Sequence, residues 1–95
     1  MILHTVNQNC ALLDDCLSVT ASGDAVLLLQ NGVYALQMQQ AKLDQAVSAG
    51  ITLYALQDDL HARAITSPTD RLCSIVDYDG FVDLVVAADS VTAWT

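Results

Sequence analysis

Five consecutive apolar residues, Ala25 to Leu29, follow Asp24 and stop at Gln30-Asn31-Gly32, where a second apolar stretch begins. A strand with no polar residue over that length has no face to offer to water, so both faces must be covered. A parallel sheet sandwiched by helices meets that demand. Asn31-Gly32 is a turn pair, so the chain is expected to reverse at the carboxyl end of this strand. Open α/β sheets place ligands at that end, which makes the turn the first place to look for chemistry.

The rest of the chain fits the same plan. Residues 1–6 read as a first strand, and Asn9 can cap a helix from Cys10 to Ala21. Leu12, Leu13, Cys16, Leu17 and Thr20 share one face of it at helical spacing, and Ser22-Gly23 stops it. After Gly32 a helix carries Val33, Leu36, Leu43 and Val47 on one side, with an ambiguous QMQQ in its middle. Ile51–Leu56 is a third strand, Asp58 can cap a short helix through Ala64, and the segment with Pro68 is a loop. Leu72–Val76 is a fourth strand, and Asp77 or Asp79 caps a helix presenting Phe81, Leu84, Val85 and Ala88. Val91–Trp94 closes the chain as a short strand. This order predicts an α/β three-layer sandwich: a mostly parallel five-stranded sheet, helices on both faces, one domain over residues 1–95.

Composition narrows the partners. Of the residues, 54% are hydrophobic, above the usual range of about 45–50%, and a small domain cannot hide that surplus. An interface with other subunits is expected, with self-association when the chain is alone. The net charge is −8, and Lys42, Arg63 and Arg71 are the only fixed cations. Such a chain cannot grip a phosphate backbone or an anionic membrane surface. No apolar run approaches the roughly 20 residues of a membrane span, and the start lacks signal-peptide character. A cytoplasmic location follows as an expectation, with Cys10, Cys16 and Cys73 as reduced thiols.

Most site chemistries find no motif. There is no GxGxxG and no Walker A signature, so no nucleotide cofactor is expected. His4, His61 and the cysteines lack zinc-site spacing, and satisfied or solvated histidines are the simpler account. No GxSxG elbow supports a hydrolytic triad. Asp58-Asp59 has no late lysine to complete a receiver-type site. The thiols remain. Cys73 reads as a small buried hydrophobe, and Cys10 sits where a helix N-terminus lowers a thiol pKa. Cys16 lies inside the apolar stripe, so core packing is its simplest role.

Four blocks then carry a family resemblance: ILHTVN, DAVLLLQNGVYAL, LYALQDDLHARAI and IVDYDGFVDLVVAADSVTAW. In order and spacing they resemble the TusB/DsrH family of sulfur-relay subunits over nearly the whole chain. The resemblance implies a heterohexamer of two copies each of three related α/β chains. The partners it implies are TusC/TusD-like or DsrE/DsrF-like subunits and sulfur carriers of the TusA/TusE (DsrC) type. The pathway would be tRNA wobble-uridine 2-thiolation or sulfur oxidation, without cofactor. The best-established sulfur-accepting cysteine of such complexes belongs to the TusD or DsrE chain. The DsrH type also has a cysteine in its first helix, and Cys16 falls at that position, which makes it the candidate catalytic residue here. Persulfide exchange needs one accessible thiolate at each station. Two readings follow: Cys16 carries sulfur, or the chain is a non-catalytic scaffold that positions a partner's cysteine. Burial of Cys16 separates them.

Overall fold

The computed structural model describes residues 1–9, 11–65 and 73–95. Its elements alternate as expected: β1 (Ile2–Val6), α1 (Ala11–Val19), β2 (Ala25–Leu28), a 3-10 turn (Gln30–Tyr34), α2 (Ala35–Met38), α3 (Gln40–Ser48), β3 (Thr52–Leu56), α4 (Gln57–Ala62), β4 (Ser74–Val76), α5 (Tyr78–Ala87) and β5 (Ser90–Trp94). The ambiguous QMQQ is a true break: Gln39, at φ −129° and ψ 32°, separates α2 from α3. Asp77 caps α5, accepting a hydrogen bond from the Gly80 N–H at 2.8 Å. Asp58 is not a cap: α4 starts at Gln57, after Leu56, and Asp58 lies in its first turn, where a carboxylate still suits the helix dipole. The expected helix start at Cys10 and strand start at Leu72 lie outside the described residues.

The strands lie in the order β4-β3-β2-β1-β5, and all four pairings are parallel. The chain therefore steps in one direction from β1 to β4, then crosses back to place β5 beside β1. Right-handed crossovers turn that reversal into a change of face. Helices α1 to α4 pack on one face, where Leu13, Cys16, Leu36, Leu43 and Leu60 meet Val6, Val26, Leu28, Leu53 and Ala55. Among the described residues only α5 covers the other, where Phe81, Leu84 and Ala88 pack against Leu3, Ala25 and Leu27. Every residue of β2 is buried, as its unbroken apolar run requires. The three-layer sandwich is thus present but unequal, with a thick face and a thin one.

Candidate functional site

Cys16 sits on the inward side of α1, and the leucine spacing that makes α1 amphipathic carries it into the core. Its side chain is 0% exposed, in one cluster with Leu13, Val26, Leu36 and Leu43. Desolvation alone pushes its thiol up to about 12. At neutral pH such a thiol is ionised in about one molecule in 10⁵, whereas thiol–persulfide exchange needs the thiolate. Cys73 is also buried in this cluster, just before β4, and Cys10 lies outside the described residues. A cleft of about 410 Å³ opens between α1 and α3, lined by Asp14, Leu17, Lys42 and Gln45 among others. Cys16 does not line it, because it points to the opposite side of α1 from Asp14 and Lys42, which form an ion pair.

The turn after β2 is filled by structure. The left-handed residue is Gln30, at φ 49°, and not the glycine of the Asn-Gly pair. Gly32 is required for another reason: a Cβ there would lie 2.2 Å from the Val6 carbonyl oxygen. The turn is held to α4. The Gln30 N–H donates to Asp59 Oδ2 at 2.7 Å, and Arg63 Nε donates to Asn31 Oδ1 at 3.1 Å. The Arg63 guanidinium also stands 6.0 Å from the Tyr34 ring centroid, which uses up the local charge. A crevice of about 520 Å³ opens instead at the carboxyl ends of β3 and β4, lined by Gln57, Ile75, Val76, Asp77 and Gly80. That position follows from the topology, because β3 and β4 are the neighbours whose outgoing helices leave toward opposite faces. Among the described residues, no three His, Cys or Asp side chains gather to hold a metal.

One polar constellation escaped the sequence reading. His4 is buried in the middle of β1, where strand alternation turns it toward the thick face. Trp94 Nε1 donates to His4 Nδ1 at 3.2 Å, so the neutral ring carries its proton on Nε2. Nε2 faces Asp24 Oδ2 at 3.5 Å, a contact without hydrogen-bond geometry. The N–H groups of Ala21 and Ile2 donate to the Asp24 carboxylate, at 3.1 Å and 3.2 Å, and hold its pKa below the ordinary carboxylate range. The group ties the ends of β1, β2 and β5 together. Its only sequence signal is the expected strand alternation, since His4 and Trp94 stand 90 positions apart.

The chain is similar to characterised sequences over nearly all of its length. The model of the family described as DsrH like protein matches residues 7–91. Protein TusB of Serratia proteamaculans is 42% identical over 95 residues, covering 98% of this chain and 100% of the relative. Protein TusB of Escherichia coli K12 is 37% identical over the same shares. Protein TusB of Erwinia tasmaniensis is 38% identical over 82 residues, 86% of each chain. With an apolar second strand, the expected parallel five-stranded sheet and a family match over residues 7–91, the chain belongs to the DsrH-like family.

Proposed function

We propose that this chain is a framework subunit of a cytoplasmic persulfide-relay assembly, and that Cys16 is a core thiol and not a sulfur carrier. Membership of the family and the TusB relatives support a sulfur-relay subunit serving tRNA modification in general. The partners in this reading are two related α/β chains of the TusC/TusD or DsrE/DsrF type, two copies of each chain making a heterohexamer. Carriers of the TusA/TusE (DsrC) type would deliver or take sulfur at a partner's cysteine.

The observation that carries the reading is the burial of Cys16. In persulfide exchange an acceptor thiolate attacks the terminal sulfur of a donor persulfide. A new S–S bond forms, the old one breaks, and the donor leaves as a thiolate that takes up a proton. A sulfur under Leu13, Leu36 and Leu43 cannot meet that donor, and a pKa of about 12 keeps it protonated. The acidic surface fits a subunit that hands nothing directly to RNA, since a chain of net charge −8 repels the phosphate backbone.

The test is Cys16→Ala in the assembled complex. Sulfur transfer should proceed at the wild-type rate, and mass spectrometry after a persulfide donor should find no added sulfur on Cys16 of the wild type. A persulfide on Cys16, or relay lost in a folded Cys16→Ala complex, would overturn the reading in favour of a carrier thiol.

A further inference from the structure

The apolar surface left over on the described residues is not spread evenly. On the thick face Val19, Met38 and Val47 are exposed singly, one on each of three helices, with Ile75 at the β4 edge. On α5 the exposed apolar residues Tyr78, Val82, Val85 and Val86 recur at i, i+4, i+7 and i+8, with Val86 80% exposed. That spacing gathers them on one flank of the helix, beside the Phe81–Leu84–Ala88 stripe that packs on the sheet. Helix α5 thus has two apolar stripes and this fold uses one. No residue of α5 is fully buried, although seven of its ten positions are neither aspartate nor glycine. The thin face continues into β5, an edge strand whose Ser90–Trp94 sequence carries no lysine, proline or charge to block pairing. Val91 of β5 is exposed on the α5 side, in register with Leu3.

The charges around this stripe are of one sign. Asp79 and Asp83 lie on the outer side of α5 and form no ion pair with another described residue, while Asp89 is paired with the Met1 ammonium. The described Lys and Arg residues, Lys42 and Arg63, both stand on the thick face, paired with Asp14 and Asp59. A second copy seated on this flank would set Asp79 and Asp83 against their own equivalents, on a chain of net charge −8. Like charges brought together at an interface cost affinity, so the electrostatics oppose the self-association that apolar surplus alone would favour.

We propose that the outer flank of α5, with the adjoining β5 edge, docks a partner protein whose own helix presents an apolar stripe bordered by lysine or arginine. This rests on the reading of the chain as an assembly subunit and names the surface that serves it. The valines supply buried area, and Asp79 and Asp83 set orientation and partner choice.

The experiment is co-purification and affinity measurement of this chain with its TusC/TusD-type or DsrE/DsrF-type subunits, using four forms: wild type, Val82→Asp/Val86→Asp, Asp79→Lys/Asp83→Lys, and Val47→Asp as a thick-face control. All the altered positions are exposed, and circular dichroism confirms that each variant is folded. The valine variant should weaken binding by at least about tenfold, the lysine variant by a smaller factor, and the control not at all. A complex that forms with unchanged affinity for the valine variant overturns the docking face and leaves the assembly reading standing. A wild-type homodimer that the valine variant dissociates makes a second copy the occupant and overturns the proposal. Absence of any complex overturns both the assembly reading and this one.

Discussion

The two faces of the sheet are built from the same kinds of residue and come out differently. On the thick face four helices press leucines, alanines and Cys16 onto β1, β2 and β3, and the cluster is sealed. On the thin face a single described helix covers the sheet, and its contact residues Phe81, Leu84 and Ala88 are all half-buried. The difference arises from path and not from hydrophobicity. Three crossovers step one way and stack their helices together, while one crossover returns and leaves α5 alone. Where a chain buries its apolar side chains it gains stability, and where it cannot it keeps a surface for something else. Cys16 belongs to the first region and the valine stripe to the second.

The sharpest way to break this comparison is one substitution made on each face. Leu28→Ala, in the thick core, should cost about 2–5 kcal/mol of unfolding free energy. Leu84→Ala, on the thin face, should cost less than half of that, because its side chain already meets water. Urea unfolding of the two variants measures both, and equal costs would show that the faces are packed alike.

Gly32→Ala tests the junction between β1 and the turn after β2. The new methyl meets the Val6 carbonyl, which is backbone and cannot swing away, so a loss of about 1–3 kcal/mol is expected. The same substitution at Gly23, where nothing lies within 4 Å, meets only its positive φ of 93° and should cost less.

Cys16 adds a pH dependence to the thick face. Its folded pKa is raised from 9.0 to about 12, so above pH 9.0 the unfolded chain loses a proton that the folded chain keeps. Stability from this group is therefore complete below pH 9.0 and falls by about 1.4 kcal/mol per pH unit above it, until the folded pKa is reached. Cys16→Ala should be less stable at pH 7 by about 1 kcal/mol and should lack that alkaline slope. An identical slope in the variant would mean that the thiol is not sealed. The smallest effect is expected for Val86→Asp in the isolated chain, within about 0.5 kcal/mol of wild type, since the side chain is already in water. A large loss there would place Val86 inside this chain's own packing and remove the contrast between the faces.

Much of the architecture was legible residue by residue. The run Ala25–Leu29 demanded cover on both sides, Asp77 or Asp79 announced the start of α5, and QMQQ flagged an ambiguous stretch where Gln39 breaks the helix. These signals are local: alternation, helical period, capping and turn chemistry act over a few residues. The candidate site was less legible. The leucine stripe placed Cys16 on an inward helix face, but the degree of its burial depends on α2 and α3 closing over it. Turn geometry is the role the sequence suggests for Gly32, whereas the Val6 carbonyl that excludes a side chain there belongs to another strand. The contacts of His4 are not legible in the sequence, because neither Asp24 nor Trp94 is near it along the chain.

By itself, then, the sequence determined the alternation of strands and helices, the need for a covered parallel sheet, the acidity of the chain, and the family. Tertiary structure decided the strand order, the sealing of Cys16, the seam of His4 with Asp24 and Trp94, and the solitude of α5. The physical reason is range. Backbone preference and side-chain period are fixed by neighbours along the chain, whereas burial, proton affinity and open surface depend on which distant segments arrive beside a residue once the crossovers have chosen their direction.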